Sequence, residues 1–216
     1  PLGAIHWLGY DMRMTELLPI SDQSIANATS ILRAGGLVAF PTETVYGLGA
    51  DACNANAVAS IFTAKNRPKF NPLISHVATV DAAFALGRKT PIAAALAAAF
   101  WPGPMTLVLM REDHCPIARL TSAGLDKIAL RVPAHAEAQR LLTAFDRPVA
   151  APSANMSGKI SPSRATHVMQ SLAGRIDLIL DGGACESGVE STIVDCTGSN
   201  AIILRPGGVT SDEIIR

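Results

Sequence analysis

Several polar side chains in this sequence sit where anions could be handled. Lys65 and Arg67, with Asn71 just ahead of the apolar run Leu73–Val77, place two cations and an amide at the mouth of a strand. Such a group can grip a polyphosphate, each charge-assisted hydrogen bond contributing about 1.5–3 kcal/mol. It also suits a plain helix C-terminus, where the macrodipole favours cations. Arg131 lies inside the apolar run Ile128–Val132 and Arg205 at the end of Ile202–Leu204. A cation set against a core strand needs a fixed anionic partner. Ser153, Asn155 and Ser161 lie on the loop PSANMSGKISPS and can serve either a ligand or their own turns. His76, closing Leu73–Val77, fits a satisfied core histidine equally well. Residues 41–52, PTETVYGLGADA, leave an apolar strand with two threonines, a glutamate, a tyrosine and two glycines. A turn needs only two or three residues of the Gly, Pro, Asn or Asp kind, so this surplus points to a ligand.

Familiar nucleotide and hydrolase motifs do not account for these residues. Gly47-Leu48-Gly49-Ala50-Asp51-Ala52 matches G-x-G-x-x-A, but Pro41–Tyr46 separates it from the strand and no acid follows about twenty residues on. Gly183 to Gly188 has the spacing of a P-loop, yet Val189-Glu190 stands where lysine and hydroxyl belong. Ser153 lacks the G-x-S-x-G elbow and a histidine placed to serve it.

Composition narrows the class. The 216 residues are 49% hydrophobic with zero formal net charge, enough for one sizeable α/β core and without a global field toward nucleic acid or membrane. Any RNA contact is therefore a local patch. Four cysteines form no C-x-x-C pair and five histidines no H-E-x-x-H, so neither a zinc site nor a disulfide framework is signalled. Ile92–Trp101, the most apolar stretch, falls far short of the roughly 20 residues that span a bilayer. These features imply a soluble, cytoplasmic protein. Residues 1–11 open with Pro-Leu-Gly and resemble a tag remnant or disordered N-terminus; residues 12–216 are read as one catalytic domain.

Elements that could position the polar set follow from periodicity and punctuation. Helices are expected from Ser21 to Arg33, Asn54 to Lys65, Pro91 to Phe100 and Ala134 to Phe145, with one capped by Ser163 and closed by Gly174. The Thr210–Glu213 spacing predicts a last, capping-box helix. Strands are expected at Leu37–Phe40, Leu73–Val77, Met105–Met110, Ile128–Val132, Val149–Ala151, Ile176–Leu180, Thr192–Asp195 and Ile202–Leu204. Several connections are too short for crossover helices, which predicts an α/β (α+β-like) fold with a twisted mixed sheet flanked by helices, of about seven strands.

Seven stretches occur in an order that resembles the YrdC-like L-threonylcarbamoyladenylate synthases. They are Val38–Gly49, Lys65-Asn66-Arg67-Pro68 with Asn71-Pro72-Leu73-Ile74, Trp101-Pro102-Gly103-Pro104, Arg131-Val132-Pro133, Pro152-Ser153-Ala154-Asn155, Glu190-Ser191-Thr192-Ile193 and Leu204-Arg205-Pro206-Gly207. The resemblance implies a concave polar cavity on a mixed sheet, and the joining of ATP, L-threonine and bicarbonate into threonylcarbamoyl-AMP and pyrophosphate for tRNA threonylcarbamoyladenosine modification. The nucleophile would be the substrate's own carbamate, so the protein has only to position anions and stabilise charge, with Mg2+ expected and no resident metal.

By position, Thr44, His76, Arg131, Ala151 and Ser191 resemble threonine contacts, Ala151 through its backbone. Lys65, Arg67, Asn71, Lys127, Ser153, Asn155, Ser161 and Arg205 resemble ATP contacts, with Lys65 and Arg67 as the catalytic pair on the phosphates. Lys127 stands where a small hydroxyl residue is expected. Pro41–Ala52 would form one wall of the threonine pocket, with Tyr46 and the glycines admitting a small substrate. Downstream tRNA threonylcarbamoyl-transfer proteins and a weak RNA contact complete the implied partners. The competing class is a non-catalytic double-stranded RNA- or tRNA-binding module that uses Lys65, Arg67, Lys69, Arg131, Lys159 and Arg205 to hold phosphates. A carbamoyl-transfer domain of the hydrogenase-maturation kind is a third reading.

Overall fold

The computed structural model describes residues 14–68 and 70–215; the expectation for residues 1–11 lies outside them, as does Lys69. The chain runs β1 (Glu16–Pro19), α1 (Asp22–Arg33), β2 (Val38–Phe40), β3 (Gly47–Asp51), α2 (Ala55–Lys65), β4 (Ile74–His76), α3 (Val80–Leu86), α4 (Pro91–Phe100) and β5 (Met105–Met110). It continues through β6 (Lys127–Arg131), α5 (Ala136–Phe145), β7 (Val149–Ala150), α6 (Ala165–Leu172), β8 (Leu178–Asp181), β9 (Thr192–Asp195), β10 (Ile202–Arg205) and α7 (Ser211–Ile215).

The strands form one sheet in the order β1-β8-β2-β3-β7-β4-β6-β5-β9-β10. Its pairings are mixed: β4 lies parallel to β6 with His76 opposite Arg131, whereas β7 runs antiparallel to both β3 and β4. The expected fold class is therefore observed, with ten strands among the described residues where about seven were expected.

Both faces of the central sheet are covered, which explains why its strands read as continuous apolar runs. Val38 and Phe40 pack with Ile25, Leu32, Leu141 and Phe145 of α1 and α5. Their neighbours Leu37 and Ala39 pack with Val58, Ile61 and Phe62 of α2 and with Val168 and Leu172 of α6. Alternation along one strand thus feeds two apolar layers, each fully buried large side chain contributing about 1.5–3 kcal/mol.

Local signals fix the helix ends. Ser21 caps α1 through a reciprocal box with Ser24, Asn54 accepts from two amides of α2, and Thr90 precedes Pro91 at the first position of α4. Thr210 and Glu213 form the expected box ahead of α7. One cap differs from expectation: α6 begins after Arg164, not Ser163, and has no side-chain cap, since arginine carries no hydrogen-bond acceptor in its side chain.

β1, β3 and α3 were not expected. Gly47-Leu48-Gly49-Ala50-Asp51 has poor strand propensity, yet pairing to β2 and β7 on either side makes it a central strand. A Cβ on Gly49 would lie 2.9 Å from the Phe40 ring and 3.0 Å from Val149. Glycine is therefore demanded there by neighbours in the sheet. That corrects the reading in which the glycines admit a substrate.

Candidate functional site

A cavity of about 150 Å³ opens where β4, β6 and the loop after β7 meet the start of β9 and the end of β10. Its inner wall carries Thr44, His76, Arg131, Ala151 and Ser191, the five residues expected around an amino acid. Arg67, Ser153 and Arg205 line the same cavity. Residues from Thr42 to Arg205 thus share one space, with β4, β6 and β7 as neighbours in the sheet.

Arg131 is 4% exposed and held by three hydrogen bonds, which leaves two of its five N–H donors for the cavity that it lines. Its Nη2 donates to Glu43 Oε1 at 2.6 Å, Nη1 to Thr44 Oγ1 at 3.0 Å and Nε to the Gly103 carbonyl at 3.2 Å. Burial lowers its affinity for the proton and Glu43 opposes that. The anionic partner demanded by a cation in a core strand is therefore Glu43, which the sequence reading did not single out. Gly103 can face the guanidinium because its own amide donates to Val132, and a Cβ at that position would lie 2.4 Å from the Phe100 carbonyl.

The polar surplus of residues 41–52 is largely internal. Thr42 Oγ1 donates to the Val45 carbonyl at 2.7 Å and accepts from the amides of Thr44 and Val45, a local hydroxyl turn. Tyr46 is wholly buried; its hydroxyl donates to Gly183 O at 2.8 Å and accepts from the Gly182 amide. Tyr46 therefore ties this segment to the 182–183 loop and does not face the cavity, which corrects its expected role as a substrate neighbour. Thr42, Thr44 and Val45 are the residues of the segment that reach the cavity wall.

Lys65 is 0% exposed and stands behind that wall. Its ammonium donates to the main-chain carbonyls of Ser153 and, at 2.5 Å, of Asn155. Burial, reinforced by Arg67, lowers its pKa to about 7, while the carbonyls and Glu190 favour the charged form. Arg67 reaches the cavity itself, with Nη2 on the Pro72 carbonyl at 3.3 Å and a buried Nε that has no partner among the described residues. His76, also fully buried, has its pKa lowered to about 3 by desolvation and then by Arg131, so it is neutral at physiological pH. Its ring meets Phe40 edge-on at 6.3 Å.

Glu190 joins the outer parts of the site. Its Oε1 accepts from Ser161 Oγ at 2.9 Å and its Oε2 pairs with Arg205. Arg205 also donates to the Ser191 carbonyl at 2.8 Å through Nη2, and Ser191 Oγ shares a 2.8 Å hydrogen bond with Thr106. Asn155 and Ser161 line an adjoining depression with Met156 and His167, while Asn71 follows Arg67 on the loop that precedes β4. Lys127 is elsewhere. It begins β6, whose other end carries Arg131, and pairs with Asp195 at 2.9 Å.

The basic set proposed for RNA is not assembled on the surface. Lys65 and Arg131 are buried, and Arg131 and Arg205 are paired with Glu43 and Glu190. Among the described residues no three His, Cys, Asp or Glu side chains converge to hold a metal ion, and no helix is long and apolar enough to cross a membrane.

Known proteins resemble this chain in both sequence and shape. It is 50% identical over 196 residues to the threonylcarbamoyl-AMP synthase of Pyrococcus abyssi and 46% identical over 202 residues to that of Bacillus subtilis, matches covering 90% and 93% of this chain. It spans 57% and 58% of the lengths of those relatives. The structure of P. abyssi Sua5 complexed with L-threonine superposes with a TM-score of 0.89 at 47% identity, covering 93% of this chain and 60% of that one. The sequence profile of the Sua5–YciO–YrdC family, described as telomere recombination, matches residues 30–207. The chain belongs to that family.

Proposed function

We propose that this chain joins ATP, L-threonine and bicarbonate into L-threonylcarbamoyl-AMP with release of pyrophosphate. The observation that carries this reading is the shared cavity, in which Thr44, Arg131 and Ser191 lie beside Arg67, Ser153 and Arg205. Two anions can be held within reach of each other there. A relative solved with L-threonine and two relatives named for this activity support it.

In this reading the inner end of the cavity takes the amino acid. Its carboxylate approaches Arg131, whose orientation Glu43 and Gly103 have already fixed, and its hydroxyl meets Thr44 or Ser191. The free amine captures bicarbonate as a carbamate and loses water. A carbamate oxygen then attacks the α-phosphorus, and pyrophosphate departs. Arg67 and Arg205 face the phosphates and stabilise the charge that grows on the transferring group. Lys65 acts through the 153–155 loop that it holds. Mg2+ enters with the triphosphate as part of the substrate, since it is typically held by one or two carboxylates plus phosphates. The protein would work in the cytoplasm, and its labile product would pass to a tRNA threonylcarbamoyl-transfer protein.

Pyrophosphate release, with threonine and bicarbonate omitted in turn, tests the reading. Release is expected only when both are present. Release without threonine, or none from the folded protein, would overturn it.

A further inference from the structure

We propose that Glu190 ligates the divalent cation carried by the triphosphate, and that Arg205 and Ser161 hold it in reserve until that substrate arrives. The proposal rests on the synthase reading and deepens it. Glu190 lines the cavity together with Arg67, Ser153 and Arg205, which makes it a carboxylate in a space otherwise suited to phosphates. Its charge is felt by Lys65, Arg67 and Arg131 alike, so it lies central to the basic groups of the site. A fixed carboxylate there would repel a triphosphate unless a cation came between them.

Geometry allows the exchange. The Glu190 backbone is pinned: its carbonyl accepts from the Gly208 amide at 3.0 Å, and Gly207 packs so closely that a Cβ would lie 2.3 Å from that oxygen. The side chain is two-thirds covered and, among the described residues, is held by Ser161 and Arg205. Rotation about its own bonds would release it without moving the chain. Arg205 would then turn from Glu190 to phosphate while remaining anchored on the Ser191 carbonyl. Each partner trades one opposite charge for another, so no charge is left unpaired. Because no three potential ligands converge among the described residues, a bare cation would not be retained; one already ligated by phosphates needs only a further carboxylate.

The test is ATP affinity by calorimetry without threonine or bicarbonate, in Mg2+ and in EDTA. Wild type is expected to bind MgATP about tenfold more tightly than metal-free ATP. Glu190→Gln should bind metal-free ATP more tightly than wild type does and keep only about a twofold gain from Mg2+. A glutamine variant with the full wild-type gain would overturn the proposal, as would one weakened equally with and without metal, which would mark Glu190 as a mere holder of Arg205. A second readout needs no variant: Mn2+ carried by ATP should lose an inner-sphere water on binding the protein, read from water-proton relaxation. An unchanged hydration number overturns the assignment. Wild type that binds no ATP in either condition overturns the synthase reading and this one with it, whereas bound ATP with an unaltered metal response overturns this one alone.

Discussion

The ammonium of Lys65 and the main-chain carbonyl of Asn155, 90 residues apart in sequence, meet at 2.5 Å behind the cavity wall. A charge-assisted bond of that kind, shared with the Ser153 carbonyl, makes the end of α2 the clamp of the 153–155 loop.

Lys65→Met should therefore act on the loop first. Two buried carbonyls would lose their donor, at a cost of about 1–3 kcal/mol each. Urea unfolding should show that loss, and hydrogen exchange should accelerate at residues 153–157. The folded-state pKa near 7 lies below the unfolded value of 10.5, so the unfolded chain binds the extra proton between them. Wild-type stability should accordingly rise from pH 7 toward 10.5, and that rise should vanish in the variant.

His76 sets an acid limit. Its pKa falls from 6.5 to about 3 on folding, so below pH 6.5 the unfolded chain takes up a proton that the native protein refuses. Stability present above pH 6.5 should be lost by about 1.4 kcal/mol per pH unit on acidification. His76→Phe, which keeps an aromatic edge toward Phe40, should flatten that slope when unfolding is compared at pH 6.5 and 5.5. Equal slopes in both proteins would assign the acid sensitivity elsewhere.

Gly49→Ala separates packing from substrate access. Its new methyl would press on Phe40 and Val149. Overpacking of this kind costs about 1–3 kcal/mol, seen as a lower Tm. Under the proposed synthase reading, the KM values for threonine and ATP should not change, because the crowded atoms belong to the sheet.

On the same reading, Lys127→Ala should leave the KM for ATP unaltered. The residue lies at the opposite end of β6 from Arg131, and its ion pair with Asp195 has one 42% exposed partner. Such pairs contribute about 0–1 kcal/mol, so stability should change little. A rise in the KM for ATP would bring Lys127 back to the nucleotide.

Much of this architecture is legible in the sequence because local physics decides it. Thr90-Pro91 and the Asn54 cap announce their helices, and Met105–Met110 reads as a buried strand because both faces of β5 are covered. β3 was hidden because its Gly49 is chosen by Phe40 of β2 and Val149 of β7, information that no local window holds. α3 was missed although Thr79 supplies an N-cap acceptor and Gly87 an end. Arg131 could be seen to need an anion, but not which one, since Glu43 is 88 residues away. Glu190 was named within a motif but given no role, for a related reason: its surroundings depend on Arg205 and Ser161, which join it only when β10 pairs with β9 and the serine loop folds over the site.

The central position of β4, β6 and β7 has a kinetic consequence. Neighbours in this part of the sheet come from residues 74–76, 127–131 and 149–150, so the cavity floor closes only after long loops have been paid for in entropy. No segment of the chain can then carry a working site in advance of the rest. Occupancy and folding become linked, and a ligand at 100 times its Kd would protect the whole sheet by about 2.7 kcal/mol against unfolding and proteolysis.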